Sequence, residues 1–264
     1  MAKKSSALSV MRRATSAMVA NPLTVLLIAF PMGLVSAFTS LGLLDHFGPM
    51  SQGDDAMVPL LIYDAGSRLS MEVLLGPIIA AMSIYVARAW SKGEEGSFGR
   101  ALHFALNRYG RMIKWHAIGW LCSHFGLALI CVPGILFLGM YAFVDPVLCL
   151  EKEAWPLARS KELTRGRRRT IFLTALPWLL LSQIVPMLEY FGMVPQLVQR
   201  LGLVPQKMSA SGVPVTDLRA LELSTEVGFV VLDTMIYLLI MWTFMCFTMI
   251  YEDRTTPVSK PTAS

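Results

Sequence analysis

Residues 115–150 read WHAIGWLCSHFGLALICVPGILFLGMYAFVDPVLCL, and the fold turns on whether they form one helix or two. A single helix would measure about 54 Å at ~1.5 Å per residue, far beyond a hydrocarbon core of ~30 Å. It would also carry the basic segment that follows, with Lys152, Arg159, Lys161, Arg165, Arg167, Arg168 and Arg169, to the side opposite the other basic connections. Two helices joined by a tight turn at Pro133-Gly134 keep the charges together, so the stretch reads as a hairpin. Its second half, 135–150, then reaches about 24 Å, and a segment that short thins the bilayer or enters part of the way.

Working outward, the whole chain is apolar. Of its 264 residues, 55% are AVILMFWYC and 16% are charged, the net charge is +5, and the mean hydropathy is +0.55. Soluble domains carry about 25% charged residues. The expected fold class is all-α: a polytopic helical membrane protein of about six transmembrane helices with amphipathic or basic cytoplasmic connecting helices. The spans fall at 23–44, 69–90, 115–132, 135–150, 170–190 and 227–250, in a single integral membrane domain over 1–264. That leaves little chain for a separate catalytic domain.

Nineteen of the 23 basic residues lie in 1–22, 88–114, 151–169 and the 251–264 tail, against Arg68, Arg200, Lys207 and Arg219 on the other side. By the positive-inside tendency both termini and both basic connections are cytoplasmic, and 45–68 and 191–226 face outward. The acid-free stretch up to Asn21 spaces Ala7, Val10, Met11, Ala14 and Met18 as a surface helix before the first span. A mitochondrial transit peptide is the minor alternative.

The two basic connections share a plan, which hints at duplication. In the first, Phe98, Leu102, Ala105, Tyr109, Met112 and Ile113 fall on one helical stripe, with Arg100, His103, Asn107, Arg111 and Lys114 opposite, so one amphipathic helix is expected. In the second, Pro156 suits a first turn and Gly166 a stop, but no apolar stripe joins them. Here the residues Val132-Pro133-Gly134-Ile135, Phe143, Pro146-Val147, Glu151, Ala158-Arg159-Ser160 and Leu163-Thr164-Arg165-Gly166 stand in an order worth comparing. The pattern resembles uncharacterised bacterial inner-membrane proteins related to the membrane domain that accompanies glycerophosphodiester phosphodiesterases. The resemblance spans about 98–190 and implies six spans in a bacterial inner membrane. It does not imply phosphodiesterase activity, which in such fusions sits on a separate soluble barrel.

No GxxxxGK[ST], GxGxxG or HExxH motif is present, so nucleotide-driven transport and zinc hydrolysis find no support, and neither cofactor nor metal is expected. Cys122, Cys131, Cys149 and Cys246 sit in apolar runs and read as small buried hydrophobes. His116 and His124 share a helix face and read as polar contacts between helices, with a metal pair as the sharper alternative. Buried acids carry more information. Asp145 is expected to pair with Arg159 or Arg88. Glu72, Glu189 and Asp233 lie at similar depth and either converge on an outward-facing acidic pocket or pair separately with Arg68 or Arg219. The cluster Arg159, Lys161, Arg165, Arg167, Arg168 and Arg169 suits anionic headgroups, each basic residue contributing about 1 kcal/mol next to an anionic leaflet. Val194, Leu197, Val198, Leu201 and Val204 suggest an interfacial helix on the outer side.

The expected function is therefore a non-enzymatic membrane-organising or accessory factor, binding anionic phospholipid, a membrane-protein partner or a second copy, with no nucleic acid. A small secondary transporter or channel built on the buried acids is the alternative.

Overall fold

Pro146 decides how the middle of the chain folds. A proline inside a helix removes one backbone bond and crowds the carbonyl four residues earlier. The helix that starts at Cys131 accordingly ends at Tyr141, and a new one starts at Val144. The computed structural model describes residues 6–47, 57–129, 131–151, 155–190, 206–208, 214–216 and 218–255. In chain order these form α1 (Ala7–Ala20), α2 (Pro22–Phe47), α3 (Met57–Ser91), α4 (Phe98–Leu106), α5 (Tyr109–Leu129), α6 (Cys131–Tyr141), α7 (Val144–Leu150), α8 (Pro156–Thr164) and α9 (Arg168–Tyr190). The strands β1 (Gln206–Met208) and β2 (Pro214–Thr216) and the helix α10 (Leu218–Thr255) follow. The two strands pair antiparallel, Lys207 opposite Val215, and the other regular elements among the described residues are helical.

Among the described residues, three helices are long and apolar enough to cross a membrane, at Pro22–Thr39, Met71–Ser91 and Glu226–Thr255, with a shorter apolar stretch at Leu136–Leu150. The first presents Leu23, Leu26, Leu27, Phe30, Val35 and Phe38 exposed, a continuous apolar surface that water would not tolerate. Among the described residues, length and hydropathy thus mark three of the six expected spans.

The expected hairpin forms, with its turn a little earlier than Pro133-Gly134. Those two residues belong to the first turn of α6, where a proline loses nothing because its N–H would have no helical partner. Three pairings set the antiparallel register of the hairpin. The Cys149 thiol donates to the Met112 sulfur at 3.3 Å, His116 meets Asp145, and a Cβ placed on Gly119 would touch Tyr141 at 3.9 Å.

Residues 135–150 are thus not one span but α6 and α7, and Ser160 of α8 holds the break. Its hydroxyl donates to Met140 O at 2.8 Å and accepts from Phe143 N at 3.1 Å. The single amphipathic helix expected over 98–113 is also divided. α4 stops at Leu106, a turn at Asn107-Arg108 intervenes, and Tyr109 opens α5. α8 ends as expected at Gly166, whose φ of 80° suits glycine. It does have an inward face, Pro156, Ser160, Leu163 and Thr164, hidden from a search for apolar stripes because half of it is hydroxyl.

The chain divides into two compact units. Residues 29–69 and 178–238 make one, which contains the strand pair and a close approach of Gly33 to Thr234. Residues 1–28, 70–177 and 239–264 make the other. The helices follow one plan three times, a short helix, an arm and a return, and this larger unit holds the short helices, the starts of the arms and the ends of the returns. The short helices are α1, α4 and α8, the arms α2, α5 and α9, and the returns α3, α6–α7 and α10.

Each return ends beside the start of its own arm. Thr24 donates to Gly96 O at 2.6 Å while Gly96 N donates to Asn21 Oδ1 at 2.9 Å. Arg108 Nε donates to Cys149 O at 3.0 Å, and Arg254 reaches Leu163 O and Arg165 O. Each short helix also packs on the return before it. Phe104 of α4 meets Tyr85 of α3 at 5.5 Å, and Ser160 of α8 clasps α6–α7. α1 closes the cycle on α10 through Arg13 with Asp253 and through Trp242 Nε1 donating to Thr15 Oγ1 at 3.1 Å.

The two-fold likeness in the sequence is therefore part of a three-fold plan. α1, expected to lie on a membrane surface, instead buries Val10, Ala14 and Ala17. The returns supply the core, with Ile79, Ile84, Phe143, Leu148, Met241, Met245 and Met249 fully buried. Their ends are tied together by Ser91 to Glu252 at 2.8 Å and Tyr251 to Glu151 at 2.7 Å.

Candidate functional site

Two sets of polar residues were singled out by the sequence, a basic cluster and a group of buried acids. In the basic cluster the turn between α8 and α9 sorts the cations into three kinds. Arg159 is neutralised. Its Nε donates to Glu151 at 3.1 Å and its Nη1 to Glu162 at 2.9 Å. The hydrogen bonds from these two carboxylates, Glu151 first, hold the guanidinium above its ordinary pKa. Arg167 is buried, 4% exposed, and makes contacts inside the protein.

The third kind, Lys161, Arg165, Arg168 and Arg169, is exposed, and among the described residues none of the four has a carboxylate partner. The Arg168 stem lies against Gly139, where a Cβ would sit 3.6 Å from it. That packing holds the stem while leaving the head in solvent. Trp155, 70% exposed at the start of α8, meets Trp115 edge-on at 6.3 Å. The exposed Lys114 lies 5.3 Å over the Trp115 ring, and an aromatic ring beside an exposed cation is an arrangement found at lipid headgroup level.

Of the acids, Asp145 has a partner other than the ones expected. Asp145 is buried in the first turn of α7, and its partner is neither Arg159 nor Arg88. His116 Nδ1 on α5 lies 3.0 Å and 3.1 Å from its two oxygens. Arg159 is engaged by Glu151 and Glu162 instead, because α8 lies past the end of α7 and its arginine meets the cap at Glu151 first. His116 reaches further. Its ring lies 6.2 Å from that of Phe244 on α10, and its Nε2 sits where a Cβ on Gly76 of α3 would be only 2.6 Å away. Glu72, half-buried one turn before Gly76, acts electrostatically on the same ring. The histidine thus joins α3, α5, α7 and α10, as a polar contact between helices.

Asp233 is buried in α10 within the smaller unit, and Glu72 belongs to the larger one. The side chains of Glu189, His124, Arg68 and Arg219, and residues 194–204, lie outside the described residues. Among the described residues no group of three or more His, Cys, Asp or Glu is arranged to hold a metal ion. Of the cysteines read as core, Cys149 and Cys246 are buried and Cys122 half-buried, and the Cys131 side chain lies outside the described residues.

Comparison with protein-family models, curated proteins and solved structures gave no match. The chemistry of the site has to speak for itself. Sequence reasoning missed the His116–Asp145 pairing, and it missed Arg13, Arg100 and Arg108 as positioned groups. The first was missed because a hairpin turning at Pro133-Gly134 would set position 116 opposite 151 rather than 145.

Proposed function

We propose that the chain is a non-enzymatic, multi-pass membrane protein of a bacterial inner membrane, with both termini cytoplasmic, whose basic end engages anionic phospholipid. The observation that carries this reading is the set of four exposed cations, Lys161, Arg165, Arg168 and Arg169, none within ion-pair distance of a carboxylate among the described residues. Charges without an ion-pair partner among the described residues, with the exposed Trp155 at the start of helix α8, suit a headgroup layer. At about 1 kcal/mol per basic residue, the four together amount to roughly a thousandfold preference for an anionic surface over a neutral one. The role this implies is membrane-organising or accessory, without a cofactor or a catalytic step. A membrane-protein partner or a second copy of the chain would use the same face.

The test is lipid retention by the purified protein in native mass spectrometry. Phosphatidylglycerol or cardiolipin is retained over phosphatidylcholine, and the triple variant Arg165→Gln, Arg168→Gln, Arg169→Gln loses that preference. Equal retention of neutral lipid by the wild-type protein overturns the reading. Cysteine labelling from either side of the membrane tests the orientation, and an outward-facing 151–169 segment would sink it.

A small secondary transporter or channel is the second reading. The buried His116–Asp145 pair favours it, because ionisable pairs inside apolar helices are frequent members of proton and ion paths. Proton or cation flux into proteoliposomes, abolished by His116→Ala, is its signature.

A further inference from the structure

A second basic feature lies away from the α8–α9 turn. Between the last turns of α3 and the short helix α4 there is an open cavity of about 350 Å³. Its floor is aromatic, the rings of Tyr85 and Phe104 with centroids 5.5 Å apart. Its rim carries Arg100, His103 and Arg108, and no Asp or Glu lines it.

How these cations are held distinguishes them from the carboxylate-paired arginines. Arg13 and Arg159 are oriented by carboxylates, which cancel their charge. Arg100 is oriented by neutral acceptors, its Nε donating to Ser97 Oγ at 3.0 Å and its Nη2 to Glu95 O at 2.9 Å. Arg108 likewise donates from Nε to Cys149 O at 3.0 Å and from Nη1 to Phe104 O at 3.3 Å, and its guanidinium lies 3.7 Å over the Phe104 ring. Both side chains are fixed in place with their charge intact, the preorganisation that anion recognition needs. His103 Nε2 accepts from the Asn107 amide nitrogen at 2.8 Å, which leaves its Nδ1–H as a third donor.

We propose that this cavity is a binding site for the phosphodiester headgroup of an anionic glycerophospholipid. The cationic rim takes the phosphate, and the Tyr85–Phe104 floor takes the glycerol and the first acyl carbons. A bare inorganic anion gains nothing from an aromatic floor, whereas an amphiphile gains from both parts. Leu106, 56% exposed on the same short helix, offers an apolar side chain to a membrane surface beside the opening. The proposal rests on the reading that this end of the protein meets anionic lipid, and it names a discrete site apart from the diffuse cluster on α8–α9.

The test uses the full chain in nanodiscs of phosphatidylcholine doped with a spin-labelled or fluorescent phosphatidylglycerol. Two variants are compared. Arg100→Gln removes one rim charge. Gly99→Leu fills the cavity without altering charge, at a position where a Cβ meets nothing within 4 Å. Each is expected to lower the population of bound phosphatidylglycerol several-fold, about fivefold for one lost charge, while 10 mM glycerol phosphate or inorganic phosphate displaces none. Wild-type occupancy in both variants overturns the site, and if Arg165→Gln, Arg168→Gln, Arg169→Gln still loses lipid, the broader reading survives that failure. Displacement by glycerol phosphate or inorganic phosphate would make the ligand a soluble phosphate and overturn the lipid assignment.

Discussion

His116 Nδ1 on α5 stands 3.0 Å and 3.1 Å from the two carboxylate oxygens of Asp145 on α7, bridging helices whose paired residues are 29 positions apart. Both residues are buried, so neither can exchange the other for water. Removing one member of a buried hydrogen-bonded ionisable pair commonly costs about 3–5 kcal/mol, because the remaining group stays desolvated. His116→Ala is expected to destabilise the protein by about 3 kcal/mol, read as a fall in melting temperature in detergent. His116→Phe with Asp145→Leu, which removes both polar groups and keeps the volume, should recover at least half of that loss. Additive losses in the double variant would show that the two side chains are not coupled.

Gly76 makes room for that histidine. A Cβ at residue 76 would sit 2.6 Å from His116 Nε2, so the ring has to shift if alanine is introduced. Gly76→Ala should cost about 1–3 kcal/mol as overpacking, although alanine is the better helix former. Gly110, in the first turn of α5 with nothing within 4 Å, is the control. There the same change should be neutral or stabilising by up to about 1 kcal/mol. Equal melting shifts at the two sites would rule out a packing origin.

Ser160 carries a different kind of strain relief. The interruption of α6–α7 near Ala142 leaves Met140 O and Phe143 N without helical partners, and one hydroxyl satisfies both. Ser160→Ala should therefore cost about 1–3 kcal/mol, the penalty for buried groups left unpaired, despite the small change in volume. Faster hydrogen exchange at the Phe143 amide would locate the effect. Unchanged exchange there would show that the break is held by something else.

These residues show what was legible in the sequence and what was not. The hairpin was legible because a length argument and a charge argument agree on it, and both are one-dimensional. The stop of α8 at Gly166 was legible because glycine carries its own backbone preference. Asp145 was assigned to the nearest arginines because opposite charge is the first criterion a sequence offers, yet partner choice depends on helix register, and the register runs through His116. The inward face of α8 escaped notice because Ser160 and Thr164 are buried by hydrogen bonding rather than hydrophobicity. The docking of α1 escaped for a similar reason. Val10, Ala14 and Ala17 are small, and small side chains mark close packing without giving a strong apolar stripe. The uncompensated arginines of the α3–α4 cavity look in sequence like any topology-setting charge. What separates them is that their acceptors are backbone carbonyls, a hydroxyl and a ring face, and none of these is readable from residue type.

The three-fold plan makes α1 a structural part of the protein, and its polar tie to α10 can be measured. Arg13 donates from Nη1 to Asp253 Oδ1 at 3.1 Å and from Nη2 to Oδ2 at 2.7 Å, a two-pronged pair between residues 240 positions apart. Both side chains are partly exposed, so the coupling is expected to be modest, about 0.5–1 kcal/mol in a double-mutant cycle of Arg13→Ala and Asp253→Ala, and smaller at 0.5 M salt. Trp242 next to Thr15 adds a second contact that salt does not weaken. Trp242→Phe keeps the ring but removes the Nε1 donor, so it should cost about 1 kcal/mol at any ionic strength. Two salt responses are thus expected from one interface: the Arg13–Asp253 coupling fades as salt is added and the Trp242 effect persists. If the Arg13–Asp253 coupling is also insensitive to salt, the ion pair does not contribute to closing the cycle, and α1 is held by Val10, Ala14 and Ala17 with the Trp242–Thr15 bond.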